Sequence, residues 1–183
     1  RTITPKQMMM VRYVFNKCSA PIFVKLLASE LKSVASYDEI DILKLPIDIS
    51  DGMDVLLTKL EEKHGKTFVG KCLGSIAASK SGLSDCEIND ILSLEESVLN
   101  EIYTEYQPPL RRVTPAHWLY LKESLEGFIC SFDSDGVQVN MLKHDGLIQI
   151  ITDRYLRRDK SKTLLHSVLA DYFLGTWSDG PKP

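Results

Sequence analysis

The sequence predicts a mainly α protein: a small helical domain followed by a domain with one β-hairpin and C-terminal helices. Three observations support this. Apolar residues recur at three- and four-residue spacing over most of the 183 positions, as amphipathic helices require. Capping signals open several of those segments: Thr4-Pro5-x-Gln7, Ser84-x-x-Glu87 and Thr114-Pro115. One alternating stretch, Ile129 to Met141, is broken by Asp135-Gly136, a strong hairpin signal. From Gly65 onward the order is three helices and then a two-stranded hairpin. That is the order of a winged-helix domain.

In chain order, Thr4 caps a helix whose apolar positions are Met8, Val11, Val14 and Phe15. The helix stops near Cys18-Ser19-Ala20, and Pro21 opens a second one through Leu31 that is apolar nearly all round and therefore buried. Tyr37 to Ile49 reads as a connection broken by Pro46. Ser50-Asp51 then caps a third helix with the stripe Val55, Leu56, Lys59 and Leu60, stopped by Gly65. The next helix repeats Phe68-Val69, Cys72-Leu73 and Ile76-Ala77 every four residues, the pattern of a core element. Ser84 opens a helix through Ile88, Ile91 and Leu92. Pro108-Pro109 marks a rigid loop, and Thr114-Pro115 starts the helix of Trp118, Leu119, Leu121 and Leu125. Two more amphipathic helices follow the hairpin, Leu147 to Leu156 and Ser161 to Leu174. The predicted division is a helical domain over residues 1–64, a winged-helix domain over 65–158, and a C-terminal helix over 159–183 that leads into a further domain.

Composition narrows the function classes. A 44% hydrophobic and 26% charged chain is that of an ordinary soluble globular protein. Its net charge of −3 argues against nucleic acid as a partner. No apolar run approaches the roughly 20 residues of a membrane span. No signal peptide is readable. The four cysteines lie far apart without CxxC spacing and in apolar neighbourhoods, which reads as reduced, buried residues of an intracellular, cytoplasmic protein. The chain has no initiator Met and reads as a piece of something larger.

Chemistry is sparse. Gly65-Lys66-Thr67 looks like the end of a phosphate-binding loop, but Leu60 stands where the first glycine belongs and helix precedes it where a strand should. No two histidines stand at metal-ligand spacing, so no metal site is predicted. Neither paired carboxylates nor a nucleophile elbow is present, and no catalytic residue is assigned. The interval Leu110 to Gly127 would be the DNA-reading helix of a winged fold. It carries Arg111, Arg112 and Lys122 against Glu123 and Glu126, one net positive charge, where DNA readers are denser in cations.

Several segments together resemble one family. Arg1-Thr2-Ile3-Thr4 with Gln7, and Cys18-Ser19-Ala20-Pro21-Ile22-Phe23-Val24-Lys25-Leu26-Leu27, resemble the segment after the nucleotide-binding core of NACHT-type STAND NTPases. Gly82-Leu83-Ser84-Asp85-x-Glu87-Ile88 is similar to the start of their winged helix. Asp153-Arg154-Tyr155-Leu156 and His166-Ser167-Val168-Leu169-Ala170-Asp171-Tyr172-Phe173 are similar to its ending in NACHT proteins with WD repeats, the telomerase-associated protein among them. The resemblance implies the regulatory module of an intracellular molecular switch, closing over ADP bound to an upstream core, with the cofactor, ADP or ATP, held mainly by that core. It implies that Pro21 packs near the nucleotide base and that His144, just after the wing, reaches the phosphate. Lys143 replaces the family's Met before that histidine. The implied partners are the upstream nucleotide-binding domain, a downstream repeat domain and further copies of the protein in self-oligomerisation. ATPase or GTPase activity would belong to the upstream core. Two other readings stand beside this one: a winged-helix nucleic-acid-binding module, and a protein-interaction scaffold without nucleotide. Likewise Pro21 can simply punctuate two helices, and His144 can be a plain helix cap.

Overall fold

A computed structural model of the chain describes residues 4–31, 35, 45–105, 107–157 and 159–176. Arg1-Thr2-Ile3, the connection from Tyr37 to Lys44 and Pro181-Lys182-Pro183 lie outside the described residues. Two compact units divide the chain, Arg1–Lys59 and Leu60–Pro183.

The first unit holds α1 (Pro5–Phe15), α2 (Pro21–Leu31) and most of α3 (Ile49–His64). The Thr4/Gln7 capping box forms as read, and the Gln7 amide also donates to the Ala35 carbonyl at 3.0 Å. The buried face of α1 differs from the predicted stripe. Val14 is buried and Met10 and Val11 pack on the core, whereas Met8 and Phe15 are exposed. α2 is not buried all round: Phe23, Leu26 and Leu27 face the core and Val24 faces out. Phe23 and Leu27 close with Val14 and Leu45 into one cluster. α3 is capped by Asp48, whose carboxylate accepts the Asp51 amide at 2.9 Å, rather than by Ser50-Asp51. Its buried residues are Met53, Leu56, Leu57 and Leu60, a turn's fraction away from the predicted stripe. Lys59 instead pairs with Glu30 at 2.5 Å at the surface.

The second unit runs α4 (Lys66–Ala78), β1 (Leu83–Ser84), α5 (Asp85–Ser93), α6 (Glu96–Ile102), α7 (Pro115–Ser124), β2 (Ile129–Ser134), β3 (Val137–Leu142), α8 (Asp145–Tyr155) and α9 (Asp159–Leu174). α4 is the hub: Phe68, Val69, Cys72, Leu73 and Ile76 are buried, and it packs against α5, α6, α8, α9 and β3. Each such burial stabilises by about 1.5–3 kcal/mol at most. The hairpin turns through Asp135 and Gly136, both at positive φ, in register Ser134↔Val137. This is the two-residue turn whose twist suits paired strands.

The sheet has three strands in the order β1-β3-β2, one more than the hairpin predicted. β1 is only two residues long, too short to leave a periodic trace. It pairs Leu83↔Asn140 and Ser84↔Val139. Gly82 makes this possible, because its φ is +81° and a Cβ there would lie 2.8 Å from the Asn140 carbonyl. α6 leaves no clear periodic trace either; its seven residues bury only Val98 and Leu99. The cysteines are corrected too: Cys72 alone is buried, Cys18 and Cys130 are partly exposed, and Cys86 is exposed. Among the described residues no helix is long and apolar enough to cross a membrane.

Candidate functional site

The residues after the wing are placed by backbone bonds on both sides. The Lys143 amide donates to the Phe128 carbonyl at 3.0 Å, which ties the end of β3 to the start of β2. His144 is extended (φ −139°, ψ 135°) and is the N-cap residue of α8; its carbonyl accepts the Leu147 amide at 2.9 Å. Its imidazole caps nothing. Lys143, His144, Asp145 and Gly146 are all exposed, and a Cβ on Gly146 would meet nothing within 4 Å. A ring N–H therefore stands beside the first turn of a helix, where amides and the macrodipole favour an anion. Asp145 in that turn offsets part of the field. The donor set suits a phosphate oxygen.

Pro21 is the first residue of α2 and is exposed; Ala20 accepts the Val24 amide at 3.1 Å just before it. Its ring fixes the helical φ at a position that needs no N–H. Pro21 belongs to the first unit and His144 to the second.

The face that would read DNA has its cations paired. Arg111 donates to Glu96 at 2.5 Å and to Asn100 at 2.8 Å, Arg112 to Asp90, and Lys122 to Asp85 at 3.0 Å. Phosphate contacts would have to break these pairs. Outward on α7 stand Leu119 and Tyr120, both exposed; sequence periodicity had grouped Leu119 with the buried residues.

Two carboxylates do structural work that no local pattern reveals. Asp85 accepts Trp118 Nε1 at 2.6 Å, Asn140 Nδ2 at 2.9 Å and Lys122 Nζ, joining α5, α7 and β3. Burial pushes its pKa up, but these hydrogen bonds and the Lys122 charge prevail and hold it below the usual carboxylate range. Glu101 on α6 accepts the Thr67 and Phe68 amides at 3.0 and 2.7 Å. A carboxylate thus occupies the helix start at Gly65-Lys66-Thr67, where a phosphate loop would hold its ligand. His64 meets Ser124 at 3.3 Å, and His117 meets Thr114 at 2.6 Å. Burial, then the Lys63 and His117 charges, lowers the His64 pKa. His166 is exposed on the rim of a groove of about 530 Å³ between Ala78–Gly82, the wing and α9.

A family model described as NWD1-like, winged helix-turn-helix domain matches residues 36–163. The chain belongs to that family. The chain is 35% identical to mouse NACHT and WD repeat domain-containing protein 2 over 98% of its own length. It is 32% identical to human NACHT domain- and WD repeat-containing protein 1 over its whole length. It spans about a tenth of these relatives, 10% and 12% respectively. No solved structure matches it.

In this NWD1-like winged helix, most residues of the recognisable motifs pack rather than react. Ser84 and Glu87 form the capping box of α5. Arg154 and Tyr155 hold Glu61 on α3, at 2.8 and 2.6 Å. Tyr172 holds Asp90 on α5 at 3.2 Å.

Proposed function

We propose that this NWD1-like winged helix is the regulatory module of a nucleotide-dependent NACHT switch, closing over ADP bound by an upstream core. The single observation that supports this best is His144: exposed, capping nothing, and set beside an open helix start immediately after the wing. In the closed state its ring N–H donates to an ADP phosphate, and Pro21 packs near the base. The nucleotide supplies the charged ligand; the chain supplies the donor and the mobile domain that carries it. Residues 1–64, 65–158 and 159–183 then act as helical domain, winged helix and exit helix towards a repeat domain. Opening frees surfaces for self-association in the cytoplasm. The paired state of Arg111, Arg112 and Lys122 weighs against duplex DNA as the ligand.

The test uses the intact protein with its upstream core. A hydrogen bond to a charged group contributes about 1.5–3 kcal/mol. Losing it from the closed state alone shifts the balance by about 10- to 150-fold. His144→Ala is expected to speed ADP release by a factor in that range, and His117→Ala to leave it unchanged. Unaltered release from His144→Ala overturns the assignment.

A further inference from the structure

The geometry points to Tyr172 as a phosphorylation site whose modification detaches the C-terminal half of α9 from α5. The inference is independent of any nucleotide. Tyr172 lies in the last turn of α9, and its hydroxyl donates to Asp90 Oδ2 at 3.2 Å. The other Asp90 oxygen takes the Arg112 guanidinium. Beyond this contact that half of α9 is held mainly by Leu169, while Phe173 and Leu174 face solvent.

Access is good. The last turn of α9 is closed by Gly175 at φ +72°, with the Gly175 and Thr176 amides donating to the Tyr172 and Asp171 carbonyls at 3.1 and 2.9 Å, so the phenol is reached from its exposed side. Tyr172 is only partly buried. Tyr155 makes a similar contact with Glu61, but that carboxylate keeps 10% of its side-chain surface against 26% for Asp90, so Tyr155 is the more sealed of the two.

The environment is already hostile to negative charge at this phenol. Burial, then the Asp90 charge and hydrogen bond, then Glu87 and Cys86, push its pKa up to about 12. A tyrosine kinase transfers the γ-phosphoryl group of ATP. The bond from the γ-phosphorus to the β–γ bridging oxygen breaks and a bond from phosphorus to the phenol oxygen forms. The phenolic proton leaves to the kinase base, and ADP departs. Two consequences follow at one atom. The hydroxyl can no longer donate to Asp90, and about 1.5 to 2 negative charges now face Asp90 and Glu87. Arg112 is the cation at hand, and Asp90 already holds it. Like charges at this spacing push the last turns of α9 away. The same movement widens the groove beside the wing, which Leu169, Ala170 and Phe173 help to line.

The experiment treats the whole chain with a tyrosine kinase and ATP, maps the modified residue, and follows amide exchange over residues 165–174. Tyr172→Phe gives the unmodifiable control. Modification at Tyr172 is expected, with exchange at least about tenfold faster than in the untreated chain. Tyr172→Phe alone is expected to change exchange by less than about threefold, since it removes one surface hydrogen bond without adding charge. In Asp90→Asn the phosphorylated chain should recover most of its protection, because the amide can donate to phosphate. The inference is overturned by failure of the kinase to modify Tyr172, by unchanged or slowed exchange after modification, or by no recovery in Asp90→Asn.

Discussion

Glu61 and Asp90 make the same kind of contact in two different settings. Each carboxylate takes a tyrosine hydroxyl and an arginine. Glu61, near the end of α3, receives both groups from neighbouring residues of α8 on a single oxygen. Its side chain is 10% exposed. Asp90 receives Arg112 from the segment before α7 and Tyr172 from α9, one on each oxygen, and is 26% exposed. Gly70 approaches Tyr155 closely: a Cβ on Gly70 would lie 2.9 Å from its ring. The difference teaches that three side-chain types do not define a strength. Where the carboxylate is less exposed and both donors come from one helix end, the contact seals; where it is more exposed and three elements converge, it latches.

The largest expected effect sets the scale for that comparison. Leu73→Ala in α4, which packs on both α8 and α9, should cost about 2–5 kcal/mol in denaturant melts. A loss below about 1 kcal/mol would mean that neither contact rests on the core described. Next, Glu61→Ala leaves Arg154 and Tyr155 facing a half-dry gap and should cost about 2–3 kcal/mol. Asp90→Ala should cost less than about 1 kcal/mol, as exposed pairs do. Equal losses from the two variants would erase the distinction between seal and latch.

Gly70→Ala tests the seal from below. Crowding against Tyr155 should cost about 1–2 kcal/mol, and truncating that ring in the same chain should remove much of the penalty. Acid gives the smallest effect. Burial acts to raise the Glu61 pKa, but hydrogen bonds from Arg154 and Tyr155 and the Arg154 charge hold it below the ordinary value. A depressed folded pKa means a contribution fully present above the unfolded value, about 4.3, and lost as pH falls through the folded one. Wild-type stability should therefore slope downward below about pH 4, and Glu61→Gln should flatten part of that slope in melts run across the range.

Much of the winged helix was legible because its signals are local. Thr4 with Gln7, Ser84 with Glu87, and Asp135-Gly136 act within three residues, so chain chemistry alone sets them. The four-residue repeat of Phe68 to Ile76 likewise marked the hub helix, and the wing-exit position of His144 followed from the hairpin. What only the tertiary structure decided depends on partners far along the chain. β1 exists because Asn140 and Val139 lie beside Leu83 and Ser84. The start of α4 is closed to anions because Glu101 reaches it from 34 positions away. Arg111, Arg112 and Lys122 are held by Glu96, Asp90 and Asp85, a pairing that their count in the sequence does not report. The physical reason is common to all three. Periodicity reports which face of a helix is apolar, whereas a hydrogen bond or ion pair depends on where another segment comes to rest.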